Sequence, residues 1–276
     1  MVFLKKQILA NGVKTFYWEK DRENEKVIIL LHGFPGNHKV VIDMARNFKN
    51  FRVIVPDLPA CGESAPLKEK HILKNYAEWL NNFLKNLSIN KAVIIGYSFG
   101  TRVAITFYEL YRQKTETLVL ITPVVKPDSL IARIALLEYE IAEVLPDFLK
   151  KPWLNNKVYR TFSNMIIFKS SSKKRREQLI KIDKDETENL NPKATVELFS
   201  EFLESKSISE GIKINVKSLV IAADKDEIAT VKTVEELMSR FSNAKLKIIK
   251  NAGHIVPGER PKKIAKVILT WLNNKK

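Results

Sequence analysis

Short apolar runs recur along the chain, separated by longer amphipathic stretches. From Lys6 to Lys20 apolar and polar side chains alternate loosely around Asn11-Gly12. That dipeptide accepts the left-handed φ values of a two-residue turn, so an antiparallel entry hairpin is expected. Val27–Leu31, Arg52–Val55, Ala92–Ile95 and Leu118–Ile121 follow as compact runs, each closed by turn chemistry. Such runs suit strands buried on both faces, and their alternation with helices predicts a mostly parallel sheet with right-handed crossovers. The rhythm returns at Ser218–Ala222 and Leu246–Ile249, and a closing helix after Pro261 places Ile264, Val267, Ile268 and Trp271 at helical spacing.

Between Pro123 and Asn215 the strand rhythm stops. The segments Leu130–Leu145, Trp153–Phe168, Arg175–Lys184 and Ala194–Leu203 read as helices, with breaks at Pro127, Pro146, Pro152 and Asn191-Pro192. The predicted organisation is an α/β core from residues 1–122 and 216–276, interrupted by a helical insertion over residues 123–215.

Composition narrows the classes. A chain of 276 residues suits one large domain, or one domain carrying an inserted module. With 45% hydrophobic and 28% charged residues it is expected to fold, and its single cysteine excludes an internal disulfide framework. No apolar stretch reaches the roughly 18–20 residues that span a bilayer. The first residues lack the order of a secretory signal, and the expectation is a cytoplasmic protein. The net charge is +16, from 47 basic and 31 acidic residues, but 36 of the basic residues are lysines spread along the chain. Nucleic-acid binders concentrate basic residues and favour arginine, so no nucleic-acid partner is expected. The densest run, Lys169 to Arg176, reads as a solvated helix start.

The candidate chemistry lies where apolar runs end. Gly96-Tyr97-Ser98-Phe99-Gly100 directly follows one such run and precedes the helical stretch Thr101–Tyr111. A nucleophile at the top of a strand needs a strained turn, and small residues two before and two after it let strand and helix approach. Ser98 is therefore the candidate nucleophile. A hydroxyl needs a base, and the chain offers His32, His38, His71 and His254. His254 lies on a loop after Leu246–Ile249, at the end of a strand where such a site would form. His71 reads as a surface residue at a helix start, His38 as a capping or exposed residue, and His32 as a structural residue bonding backbone. The base needs an acid to hold its tautomer. Asp226, in Ala223-Asp224-Lys225-Asp226-Glu227 after Ser218–Ala222, is the first choice, Asp224 the second, and Asp128 an alternative after the preceding strand. Backbone donors for a developing oxyanion would come from Phe34, in His32-Gly33-Phe34-Pro35-Gly36, and from Phe99. Cys61 is a lone loop thiol and reads as inert.

These features resemble the α/β-hydrolase family. The order Ser98, Asp226, His254 is that family's order, and Val55-Pro-Asp-Leu-Pro-Ala-Cys-Gly-Glu-Ser64 is similar to its turn after the second parallel strand. Two positions depart from the pattern: Ala60 stands where glycine is usual, and Thr101 where a small glycine is common. The resemblance implies acyl transfer through an acyl-enzyme on small to medium esters, with no cofactor and no metal, and a cap formed by the insertion. Lactones, thioesters and carbon–carbon bonds are alternative substrates for the same machinery. A receptor-like protein of slow turnover is a second class. Tyr97, Trp153, Phe162 and Met165 are the candidate lining of an apolar substrate pocket.

Overall fold

The computed structural model describes residues 2–21, 26–126, 130–156, 172–188, 190–204 and 210–274. An eight-stranded sheet forms its centre: β1 (Leu4–Ala10), β2 (Val13–Lys20), β3 (Val27–Leu31), β4 (Arg52–Pro56), β5 (Ala92–Tyr97), β6 (Thr115–Ile121), β7 (Ser218–Ala223) and β8 (Ala244–Ile249). The spatial order is β1-β2-β4-β3-β5-β6-β7-β8. The entry hairpin pairs β1 with β2 antiparallel, with Ala10 opposite Val13 and Asn11-Gly12 between them. β2 joins β4 antiparallel, and every later pairing is parallel.

Helices cover both faces, which is why the central strands read as unbroken apolar runs rather than alternating ones. Ile29 and Leu31 of β3 face a core shared with α2 (Leu73–Asn86), α3 (Phe99–Leu110) and a later helix, Val231–Met238. Ile28 and Leu30 face the opposite core, shared with α1 (Ile42–Ala45) and the closing helix Pro261–Asn273. That closing helix buries Ile264, Ile268 and Trp271, as its spacing predicts. The first crossover is shorter than expected, a 3-10 turn at His38–Val40 followed by the single turn of α1.

Between β6 and β7 the described residues form four helices: α4 (Leu130–Val144), α5 (Asp147–Leu154), α6 (Lys173–Glu188) and α7 (Pro192–Glu204). Most of the expected helix Trp153–Phe168 lies outside the described residues; its first two residues end a separate helix, Asp147–Leu154. The chain turns helical at Asp147 behind Pro146, carries Pro152 inside, and ends at Leu154, so Trp153 lies near a helix end. Asp147 in the first turn favours that earlier start, because its charge suits the positive end of the helix dipole. Pro152 lacks one backbone donor and the helix stops two residues later. Residues 157–171 lie outside the described residues. No helix among the described residues is long and apolar enough to cross a membrane.

Candidate active site

Because β3, β5, β6, β7 and β8 run parallel, their carboxyl ends share one rim, and the loops that leave them meet there. Ser98 follows β5 directly and takes φ 51°, ψ −118°, a conformation that costs a residue with a Cβ and lifts its hydroxyl out of the strand–helix corner. The flanking glycines are steric requirements. A Cβ on Gly96 would lie 2.4 Å from the Gly100 carbonyl oxygen, and one on Gly100 would lie 2.5 Å from the Leu31 oxygen. Thr101, the departure from the usual glycine, is fully buried and donates its hydroxyl to the Ser98 carbonyl at 2.5 Å. The larger residue thus adds a bond across the corner.

Ser98 Oγ lies 2.8 Å from His254 Nε2, and His254 Nδ1 lies 2.8 Å from Asp226 Oδ2. The Asp226 carboxylate accepts, so Nδ1 carries the proton and Nε2 is left to accept from the hydroxyl. The other Asp226 oxygen, Oδ1, accepts the amides of Ile228 at 2.9 Å and Ala229 at 2.8 Å, which fixes the carboxylate before it meets the imidazole. His254 is held a second way: Thr122 Oγ1 donates to its carbonyl at 3.2 Å. Thr122 escaped the sequence reading; its only signal there is a hydroxyl directly after the apolar run Leu118–Ile121.

Asp224 does not meet the imidazole. Its Oδ1 accepts the Ala252 amide at 3.2 Å and so braces the loop that carries His254. Bonds from backbone amides of that loop, Asn251 first and Ala252 after it, hold its carboxyl below the usual range. Asp128 lies outside the described residues.

Phe34 and Phe99 flank the serine. Phe99 is the first residue of α3, where the amide has no acceptor within its own helix. The Phe34 loop comes so close that a Cβ on Gly33 would lie 3.1 Å from Ser98 Cβ. The two phenyl rings meet edge to face with centroids 6.0 Å apart.

The other histidines have separate duties. His32 is fully buried; Nδ1 donates to the Gly33 carbonyl at 2.7 Å and Nε2 accepts the Leu58 amide at 3.0 Å, the backbone-bonding role its position suggests. Burial pushes its pKa down to about 4. The expectation of an exposed His71 is corrected: α7 covers it, only 3% of its surface is accessible, and burial lowers its pKa to about 4. His38 is likewise buried. Its ring stacks on Trp18 at 3.2 Å, and its Nδ1 lies 2.9 Å from Asp57 Oδ1. Asp57 carries the turn around Gly62, where a Cβ would collide with its carboxylate. In that turn Ala60 takes φ 62°, the left-handed conformation that glycine adopts at lower cost. Cys61 is buried.

Among the candidate pocket residues, Tyr97 is a core residue, 5% accessible, whose ring lies 5.9 Å from that of His254. Trp153 donates its indole N–H to the Glu138 carbonyl at 3.0 Å and packs with Ala142, Leu154 and Val196 inside the helical layer. Phe162 and Met165 lie outside the described residues. Other rings of the helical layer reach the Phe34 loop: Phe199 lies 5.9 Å from Phe34, and Tyr139 stacks on Phe199 at 3.4 Å. Both escaped the sequence reading, because aromatic residues at helical spacing look alike whether they pack or line a site. Among the described residues no group of three or more His, Cys, Asp or Glu side chains could hold a metal ion.

A family model described as the alpha/beta hydrolase fold matches residues 26–261. The chain belongs to this family. Similar proteins include a lipase from Moraxella sp., 23% identical over 272 residues, 91% of this chain and 79% of that one. A monoacylglycerol lipase from Homo sapiens is 24% identical over 268 residues, 90% of this chain and 78% of that one. Among solved structures, a thermophilic esterase from Thermogutta terrifontis shares the alpha/beta hydrolase fold with a TM-score of 0.74 at 22% identity, covering 98% of each chain. An esterase from Exiguobacterium antarcticum has a TM-score of 0.82 at 16% identity, covering 98% of this chain and 100% of the other. This alpha/beta hydrolase keeps a serine at the strand–helix corner, and its partners arrive from the ends of β7 and β8 in the family's order.

Proposed function

We propose that the protein is a serine hydrolase of carboxylic esters with small to medium acyl groups. The observation that carries this reading is the pair of 2.8 Å contacts linking Ser98 Oγ to His254 and His254 to Asp226. Ser98 Oγ bonds to the ester carbonyl carbon while His254 Nε2 takes its proton. The carbonyl electrons move to oxygen, and the Phe34 and Phe99 amides donate to the resulting oxyanion. Collapse expels the alcohol, which receives the proton from His254. Water then attacks the acyl-enzyme with the same imidazole as base, releasing the acid and restoring Ser98. Asp226 orients the imidazole and stabilises its charged form.

The names of the relatives agree with ester chemistry, since those above are a lipase and a monoacylglycerol lipase. We assign residues 123–215 as a cap over the rim, which α7 meets through the contact of Phe199 with Phe34. The reaction as written uses no cofactor. A panel of p-nitrophenyl esters of increasing acyl length, assayed with wild type and Ser98→Ala, tests the reading. Repeated turnover on the shorter esters, lost in Ser98→Ala, is the expected result. Equal rates in the two proteins would overturn it.

A further inference from the structure

Five aromatic rings run without interruption from the helical insertion to the floor of the site. Tyr139 of α4 stacks on Phe199 of α7, with centroids 3.4 Å apart and planes within 7°. Phe199 meets Phe34 at 5.9 Å, Phe34 meets Phe99 edge to face at 6.0 Å, and Phe99 meets Tyr76 edge to face at 5.6 Å. The two inner rings belong to the residues whose amides the hydrolase reading assigns to the oxyanion. The rings on either side of the Phe34–Phe99 pair are held. Tyr76 is fully buried, and its hydroxyl donates to the Pro59 carbonyl at 3.1 Å. α7 is fastened to the core by two carboxylates one turn apart: Glu197 accepts the His71 amide at 2.8 Å and Glu201 accepts the Leu73 amide at 2.5 Å. Leu73 opens α2, whose preceding residue, Ile72, supplies no side-chain cap, so Glu201 serves that helix as an N-terminal acceptor from another element.

We infer that Phe199 is a positioning residue: by bearing on the Phe34 ring, it sets the loop that presents the Phe34 amide to the reacting oxygen. Phe99 needs no such aid, because its amide is fixed by the start of α3. Phe34 sits on a loop, and a loop amide keeps its aim only when its side chain is held. The tilted Phe199–Phe34 contact and the edge-to-face Phe34–Phe99 contact supply that restraint from both sides of the ring. The inference rests on the hydrolase reading for its catalytic meaning and on the ring contacts for its structural one.

Loss of one oxyanion donor costs about 10²–10³ in kcat, and a donor displaced by roughly 1 Å costs somewhat less. Phe199→Ala is therefore expected to lower kcat about 10- to 100-fold while KM stays within about threefold, and Phe199→Tyr to restore most of the rate. Hydrogen exchange of the peptide containing Phe34 should be faster in Phe199→Ala than in wild type and close to wild type in Phe199→Tyr, with the melting temperature of each variant measured alongside. Unchanged exchange at that loop, or an effect confined to KM, would overturn the inference. The exchange arm does not depend on turnover. Should Ser98→Ala hydrolyse esters as fast as wild type, the hydrolase reading and the oxyanion role fail together, and loop exchange still decides whether Phe199 holds Phe34.

Discussion

At the sheet rim, neighbouring loops are tied to one another through backbone, whereas the described helices between β6 and β7 are joined to each other and to the core through side chains. The Ser98 amide donates to Ile121, Thr122 to Ile221, Asp224 to Ile249 and Lys225 to Ala252, a set of backbone bonds that continues the parallel ladder past the strand ends. In the helical layer, Trp153 reaches the Glu138 carbonyl, Tyr139 stacks on Phe199, and Glu197 and Glu201 reach across to the core. Large apolar groups there remain in solvent: Val144 is 81% accessible and Phe148 76%. Backbone bonds tolerate little displacement, while side-chain packing can be rearranged at modest cost. A rim built the first way can hold a proton-transfer geometry, and a layer built the second way is free to diverge with its ligand.

That contrast breaks most visibly at the rim. Ser98→Ala and His254→Ala are each expected to lower kcat for ester hydrolysis by on the order of 10⁶, with far-ultraviolet circular dichroism and melting temperature near wild type. Asp226→Asn should cost about 10⁴, because an amide cannot hold the Nδ1–H tautomer. Asp224→Asn should leave the rate within about twofold, since its oxygen accepts from the Ala252 backbone rather than the imidazole. The reverse ranking in steady-state assays would move the acid to Asp224.

Acid should weaken the fold before it alters the carboxylate pairs. Burial holds the pKa of His32 and of His71 down at about 4 in the folded protein, against about 6.5 in the unfolded chain. Between those values the unfolded chain binds more protons, so the contribution is complete above about pH 6.5 and is lost as pH falls towards 4. The loss amounts to roughly 3 kcal/mol for each histidine. Urea unfolding at pH 7 and pH 4.5 should show it, and His71→Gln should remove its share of the slope. A flat profile over that interval would contradict the burial of both rings.

Smaller changes sharpen the comparison. Gly100→Ala forces a Cβ against the Leu31 carbonyl and should destabilise by about 1–3 kcal/mol or more. Trp153→Ala in the helical layer should lower the melting temperature while leaving kcat within about twofold. Ala60→Gly relieves a left-handed alanine and should stabilise by up to about 1 kcal/mol, measured as a higher urea midpoint.

The same difference explains what could be read from the chain. The central strands are continuous apolar runs because both faces are covered, and β3 was legible at both ends from Val27 to Leu31. Gly96 and Gly100 were legible because backbone contact admits no Cβ there. Thr122 was not, because one hydroxyl after a strand has many ordinary uses. His71 was misjudged because its cover, α7, lies more than a hundred residues away in sequence. Trp153 and Phe199 are both aromatic residues on helices; which one reaches the Phe34 loop depends on how α5 and α7 pack, and local pattern carries no record of that.

The account stands on a serine made nucleophilic by its neighbours, and covalent trapping reads that property directly. Wild-type protein treated with a fluorophosphonate should gain one adduct per chain, located by peptide mass spectrometry on Ser98, and labelling should vanish in Ser98→Ala and slow severely in His254→Ala. An unlabelled wild type, or an adduct on any other residue, would contradict it.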